Sequence, residues 1–202
     1  MRFRSKKNIV TLEDGIVIKQ HVDPAALSRE AFALEQLHRA GLAVPALLGK
    51  GEGILKLEYI SGPTYADLVD ALTLEQARAL AVWLADYHRI TGSLRGDCNL
   101  RNFLWSKDTC FGVDFEDKPI RGEWEADLGQ ILAYTLTYDP PFTPAKAFSG
   151  RLLLEAFRQT GLELSLAEIR KAYLEAIAAM NSRRKNFSVH PHSAASFFDE
   201  LG

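Results

Sequence analysis

Two early stretches, Ile9 to Glu13 and Gly15 to Gln20, are short runs rich in β-branched apolar residues, as strands are. Asp14-Gly15 between them is a dipeptide that favours a tight hairpin turn, so two strands are expected, the second carrying Ile16-Val17-Ile18-Lys19. The pattern then becomes helical. Asp23-Pro24 reads as an N-cap with proline at the first helical position, Leu27, Leu34 and Leu37 form an apolar stripe to about Ala40, and Gly41 follows as a terminator. Glu30 falls inside that stripe, whereas Glu35 points further round and is expected to be exposed. An unpaired buried carboxylate is costly, so Glu30 calls for a cation, and Lys19 is the obvious one. Standing alone, a lysine at a strand end is usually just solvated.

Val44 to Gly49 and Gly53 to Ile60 read as two more strands with a turn near Lys50-Gly51-Glu52, and Ser61-Gly62-Pro63 breaks the pattern as a linker. Beyond it the chain turns helical. Thr73-Leu74-Glu75-Gln76 is a capping box, with Leu80, Trp83, Leu84 and Tyr87 as the core stripe behind it. His88, near that helix end, reads as a packing or capping residue. A short loop then carries Asp97 and Asn102, followed by an apolar run at Phe103-Leu104-Trp105, a polar turn at Ser106 to Thr109, and a second apolar run, Cys110 to Val113, ending in Asp114-Phe115-Glu116-Asp117. This is a hairpin placing Asp97, Asn102 and Asp114 on one side of a cleft. Gly122 to Thr135 reads as a helix with a core face of Trp124, Leu128, Ile131 and Leu132, and Asp127 near its start either caps it or, as the preferred reading, braces the preceding loop by accepting backbone N–H bonds. Asp139-Pro140-Pro141 is a break, and Thr143 to Thr160 and Ser165 to Asn181 make a closing helical pair, the second opened by a capping box at Ser165 to Glu168. Arg183-Arg184-Lys185 reads as solvated surface, and His190-Pro191-His192 lacks the further ligands of a metal site.

A chain of 202 residues suffices for one large domain or two small lobes. Its apolar content of 47% and charged fraction of 25% are those of a soluble globular protein, and a net charge of -2 makes no general case for nucleic acid or membrane binding. Cys98 and Cys110 form neither a disulfide framework nor a metal motif, so a reducing cytoplasm is expected. The basic start, Met1 to Lys7, has no apolar core behind it and is not read as a signal peptide, and no stretch is long and apolar enough to span a bilayer.

The triple Asp97, Asn102 and Asp114 suits phosphoryl transfer. Divalent cations on nucleotide phosphates prefer hard oxygen ligands such as a carboxylate and an amide carbonyl, the roles of Asp114 and Asn102, while Asp97 would orient the attacking hydroxyl and take its proton. Taken singly, each is an ordinary turn or strand-end residue. Taken in order, the triple resists that explanation. Glu58 and Ile60 are candidates to meet a nucleotide base through main-chain groups, the plainer reading being an edge strand and turn.

A lysine ending a strand, an acid on the next helix, a linker after Leu57-Glu58-Tyr59-Ile60, then Arg95-Gly96-Asp97-Cys98-Asn99-Leu100-Arg101-Asn102 and Val113-Asp114-Phe115-Glu116 together resemble the protein-kinase-like superfamily. The resemblance covers roughly residues 8 to 135 and is to the aminoglycoside-phosphotransferase branch, with its His-Gly-Asp-x-x-x-x-Asn and Ile-Asp-Phe-Glu motifs, and to small atypical kinases such as the KEOPS-complex kinase. It implies an α+β, bilobal protein-kinase-like fold: a small β-rich N-lobe with one helix over residues 1–61, and a helical C-lobe over 62–202. It implies ATP and Mg²⁺ as cofactors, Asp97 as catalytic base, Asn102 and Asp114 as Mg²⁺ ligands, Lys19 on the α/β-phosphates with Glu30 holding it, and Glu58 to Ile60 gripping the adenine. The γ-phosphate would pass to a hydroxyl of an unidentified small-molecule or protein acceptor, which leaves room for a protein partner. Arg95 stands where the family has histidine, no glycine-rich phosphate loop is present, the usual first strand is expected to be missing or replaced by Met1 to Lys7, and the long helical insert of larger small-molecule kinases is absent. The alternatives are a pseudokinase or nucleotide-binding scaffold without turnover, which the missing glycine loop favours, and a metal-dependent nuclease built on Asp97 and Glu116-Asp117-Lys118. The latter leaves Asn102, Lys19 and Glu30 idle.

Overall fold

The computed structural model describes residues 2–3, 8–183, 188–189 and 191–200. Its first part is a five-stranded antiparallel sheet in the order β1-β2-β3-β5-β4, made from β1 (Arg2–Phe3), β2 (Ile9–Glu13), β3 (Ile16–Gln20), β4 (Leu47–Gly51) and β5 (Ile54–Glu58). The hairpin between β2 and β3 closes through Asp14 and Gly15, both in the left-handed region (φ 49° and 78°), as a primed two-residue turn requires. Helix α1 (Pro24–Arg39) packs Leu27, Leu34 and Leu37 inward, with the Asp23 carboxylate capping Ala25 N–H at 2.9 Å and Gly41 ending it at φ 82°. Glu35 is exposed as expected.

The sheet departs from expectation in two places. A first strand is present: β1 pairs with β2 at Arg2↔Thr11 and Phe3↔Val10. Two residues are too few to show a period, so the sequence pattern could not reveal it. The connection after it, residues 4–7, carries no glycine and, with the rest of the basic start, lies outside the described residues. Second, Val44 to Ala46 is not strand. The carbonyl of Ala43, just before it, accepts the Trp83 indole N–H at 2.8 Å and Gly112 N–H at 3.1 Å, so the chain enters here bound to the second lobe and reaches the sheet at Ala46, whose carbonyl accepts Glu58 N–H at 2.9 Å.

Ser61-Gly62-Pro63 leads into the helical part: α2 (Tyr65–Leu68), α3 (Leu74–Thr91), a one-turn 3-10 helix (Leu100–Asn102), the hairpin β6 (Phe103–Ser106) and β7 (Thr109–Gly112), then α4 (Glu125–Thr137), α5 (Pro144–Arg158), α6 (Leu166–Arg183) and α7 (Pro191–Asp199). Both halves of the Thr73/Gln76 capping box form, and Leu80, Trp83, Leu84 and Tyr87 are all buried. The linker is pinned: Trp105 N–H donates to Pro63 carbonyl at 2.9 Å, and a Cβ on Gly62 (φ 154°) would stand 2.0 Å from the Trp105 carbonyl oxygen. Gly129 lets α4 lie directly on α6, since a Cβ there would come within 2.6 Å of Tyr173 N. At the start of α6, Ser165 Oγ accepts from Glu168 N–H at 3.3 Å. Of α4's expected core face, Leu128, Ile131 and Leu132 are fully buried and Trp124 half-buried. The tail holds a helix the pattern did not announce, α7, whose Phe197 and Phe198 pack against Tyr173. Arg183 is exposed, while Arg184, Lys185 and His190, and the side chain of His192, lie outside the described residues. Among the described residues no helix is long and apolar enough to cross a membrane. Cys98 and Cys110 are free and buried, and burial pushes both thiols up from their ordinary value.

Candidate active site

The loop from Leu94 to Asn102 is held by groups reaching it from α4. Asp127, fully buried in the first turn, accepts Arg95 N–H at 2.6 Å and Gly96 N–H at 3.0 Å, and its Oδ2 also lies 2.8 Å from His88 Nε2. Asp127 therefore braces the loop. Gln130, one turn on, takes Cys98 N–H at 3.1 Å, and Leu94 N–H bonds the Ile120 carbonyl at 2.8 Å. Asn99 caps the 3-10 turn through Arg101 N–H at 3.0 Å while Tyr138 OH donates to the same Oδ1 at 2.8 Å.

That scaffold sets Asp97 and Asn102 side by side. Asn102 Nδ2 donates to Asp97 Oδ2 at 3.0 Å and to the Asp97 carbonyl at 3.3 Å, and Asn99 N–H donates to Asp97 Oδ1 at 3.3 Å. With its amide nitrogen spent on Asp97, Asn102 has left a side-chain carbonyl oxygen, a donor of the kind that could hold a hard cation. The hairpin continues the arrangement, because Val113 N–H bonds the Asn102 carbonyl at 2.9 Å and delivers Asp114 directly after it. Asp114 sits at φ 68°, a left-handed conformation that Asp tolerates and that the surroundings must hold. The holder is Arg95. Its guanidinium donates to the carbonyls of Val113 (2.6 Å) and Asp114 (2.7 Å) and lies 4.5 Å over the Phe115 ring. The arginine in the motif's histidine position thus ties the loop to the Asp-Phe-Glu segment.

The sheet contributes the other wall. Lys19 is buried and lies 2.8 and 3.0 Å from the two Glu30 oxygens and 2.6 Å from Asp114 Oδ1, across the boundary between sheet and helices. Burial opposes the lysine's charge, but Glu30 and Asp114 overcome it and hold the ammonium above its ordinary value. Burial likewise opposes ionisation of Glu30, but His21 and Lys19 outweigh it and keep that carboxyl below its ordinary range. Glu30 Oε1 also accepts Phe115 N–H at 3.3 Å. The expected Lys19–Glu30 pair is therefore present. Asn102 and Asp114 flank the β6–β7 hairpin, Asp97 lies against Asn102, and Lys19 meets Asp114.

Glu58 ends β5, which pairs with both β3 and β4, so the plainer expectation of an edge strand does not hold. Its N–H donates to Ala46 carbonyl at 2.9 Å and its carboxylate accepts Ala46 N–H at 3.2 Å, which confines any main-chain role toward a base to its carbonyl. Ile60 is buried just beyond it. Neither residue contacts the Lys19 group through a bond seen here.

Sequence reasoning did not single out His21, read His88 as a packing or capping residue, and gave Glu116 a role only in the nuclease alternative. His88 lies four residues after Leu84, hence on the core stripe, and that spacing was the available signal. His21 follows Lys19 by two, the same-face interval of a strand. Glu116, its Oε2 bonded by Asn8 Nδ2 at 2.6 Å, belongs to the quoted Asp-Phe-Glu run and faces the same cluster.

No protein-family model matches the sequence, and no curated protein matches it. Solved structures match the fold. The streptomycin–ATP–APH(2")-IIa ternary complex is 14% identical over 91% of this chain and 86% of that one, with a TM-score of 0.64. A choline/ethanolamine kinase family protein from Mesorhizobium loti is 14% identical over 99% and 85%, with a TM-score of 0.65. The ADP-bound aminoglycoside phosphotransferase APH(2'')-Ib is 14% identical over 99% and 90%, also at 0.65. At such identities the likeness is one of fold, and it agrees with the motifs: the chain has the α+β protein-kinase-like fold, a small antiparallel sheet lobe and a helical lobe, in the form found in aminoglycoside phosphotransferases.

Proposed function

We propose that this protein is an ATP- and Mg²⁺-dependent phosphotransferase with a hydroxyl acceptor, its sheet lobe ending near residue 61 and its helical lobe covering 62–202. One observation carries the reading. Lys19 of the sheet meets Asp114 at 2.6 Å, and Asp114 follows the hairpin that holds Asn102 against Asp97. Three fold neighbours support the cofactors and the reaction class: one is a complex with ATP and streptomycin, one is ADP-bound, and one is of the choline/ethanolamine kinase family.

When bound, ATP supplies the phosphoryl group and Mg²⁺ the charge that neutralises it. The chain's own residues do the rest. Asn102 Oδ1 and the half-exposed Asp114 carboxylate are the hard oxygen donors suited to the metal. Lys19, kept charged by Glu30, serves the α/β-phosphates once it releases Asp114. Glu58 carbonyl and Ile60 N–H take the base. Asp97, oriented by Asn102 and Asn99 N–H, accepts the proton of the acceptor hydroxyl and aims its oxygen at the γ-phosphate. The acceptor is a small molecule or a protein, and the free buried thiols support a reducing cytoplasm as the place of action.

The test is calorimetric titration of ATP with and without Mg²⁺. Mg²⁺-dependent binding that Asp114→Ala removes is the expected result, and no binding at millimolar ATP would sink the reading. A scaffold without turnover is the second reading, favoured by the glycine-free connection between β1 and β2. Binding without any acceptor-dependent ATP consumption would select it.

A further inference from the structure

One buried side chain in the cleft has no part in that scheme. His21 lies just past β3, on the face that carries Lys19, and its side chain is fully shielded from solvent. Its ring stands between two carboxylates from different parts of the fold. Nε2 is 3.0 Å from Glu30 Oε2, on α1, close enough but too far off line for a hydrogen bond as the ring stands, and Nδ1 is 3.8 Å from Glu116 Oε2, in the segment after β7, so neither ring nitrogen has a hydrogen-bond partner among the described residues. A shielded imidazole with no role is an expense that proteins seldom carry, since each buried nitrogen gives up its hydration. Glu30 is the most heavily used acceptor here: Oε1 serves Lys19 and Phe115 N–H, and Oε2 faces Lys19 at 2.8 Å and His21.

We infer that His21 is a positioning residue for the Lys19–Glu30 pair, a small turn of its ring bringing Nε2–H, already 3.0 Å from Glu30 Oε2, into line to donate to it. Lys19 divides its ammonium between Glu30 and Asp114, and nucleotide binding asks it to exchange Asp114 for phosphate. Glu30 must keep its place while that exchange occurs. Phe115 N–H fixes one of its oxygens and His21 fixes the other, so the carboxylate cannot swing after the departing ammonium. The donor role also sets the ring: with Nε2–H toward Glu30, Nδ1 faces the more distant Glu116, which Asn8 holds. His21, Glu30 and Glu116 are close enough together to suggest a cation site. Lys19 Nζ, 2.8 Å from Glu30 and 3.9 Å from Glu116, already supplies the positive charge between the two carboxylates, and a divalent ion there would meet the ammonium's repulsion.

The inference rests on the phosphotransferase reading for its consequence but not for its geometry, so two measurements separate them. In ligand-free protein, the ¹⁵N shift of the His21 ring identifies which nitrogen carries hydrogen. Nε2–H whose shift moves in Glu30→Gln is expected, and an unprotonated Nε2 would overturn the assignment. Mg²⁺-ATP titrations then compare His21→Leu, which removes the donor, with His21→Gln, whose amide nitrogen reaches the Nε2 position. His21→Leu is expected to weaken binding about tenfold, the scale of one charge-assisted hydrogen bond, and His21→Gln to stay within about threefold of the wild type. Both variants must show cooperative melting. Equal losses in the two would mean that the ring only fills space. If wild type binds no ATP, the phosphotransferase reading fails and the ¹⁵N result alone decides whether His21 holds Glu30. Tight Zn²⁺ binding that His21→Leu abolishes would replace the positioning role with a metal site.

Discussion

The two walls of the cleft are held by different kinds of bond. On the helical side, the loop carrying Asp97 and Asn102 is fixed by side chains that bond its backbone, Asp127 to two N–H groups and Gln130 to a third, while the loop's own Arg95 bonds the carbonyls of Val113 and Asp114. On the sheet side, Lys19 is held by charge between Glu30 and Asp114, with Glu116 3.9 Å away and the His21 ring between the Glu30 and Glu116 carboxylates. Backbone groups cannot leave, so the first wall keeps one geometry whatever enters the cleft. Ion pairs exchange partners, and Lys19 has two within 3.0 Å. In the proposed phosphotransfer, the rigid wall would carry the group that orients the hydroxyl, and the exchangeable wall the group that takes the phosphate.

Substitutions at the two walls should therefore fail differently. The largest effect belongs to Asp97→Asn, for which at least about a hundredfold loss of turnover is expected with nucleotide affinity unchanged. Retained turnover in that variant would remove Asp97 as the base. Asp127→Asn should next cost about 3 kcal/mol in denaturant unfolding, because it leaves a buried backbone N–H poorly served and weakens the His88 contact. A loss of ATP affinity without loss of stability would instead place Asp127 in the exchangeable wall. Glu30 sharpens the comparison through pH. Its carboxyl lies below the ordinary value of 4.5, so the stability it confers is present above that value and drains away as pH falls through the depressed one. The stability gap between wild type and Glu30→Gln should accordingly narrow in acid, with no matching change for Tyr138→Phe. That last variant, which removes only the hydroxyl bonded to Asn99, should cost about 1 kcal/mol and leave ATP binding intact.

Much of this was legible along the chain because its causes are local. A two-residue turn needs Asp14-Gly15, a helix start needs Asp23-Pro24 or Thr73 with Gln76, and an acid within an apolar stripe needs a cation, which led from Glu30 to Lys19. The Asp127 brace followed from its place at a helix start beside a loop rich in unpaired N–H groups. Misses came where the cause lies far away in sequence. The strand β1 is too short to carry a period, Val44 to Ala46 looks like strand until Ala43 is seen to serve Trp83 and Gly112, and α7 exists because Tyr173 gives Phe197 and Phe198 something to cover.

The sequence by itself therefore determined most of the elements, the hairpin that separates Asn102 from Asp114, and the need of Glu30 for a partner, since each depends on neighbours within a few residues. The tertiary structure alone decided that Arg95 reaches across to hold Asp114 in its left-handed conformation, that Lys19 stands between Glu30 and Asp114, and that His21 is enclosed between Glu30 and Glu116. Those contacts join residues 9 to 95 positions apart. No local rule specifies them, because the free energy that makes them comes from packing the two lobes together and removing their charges from water.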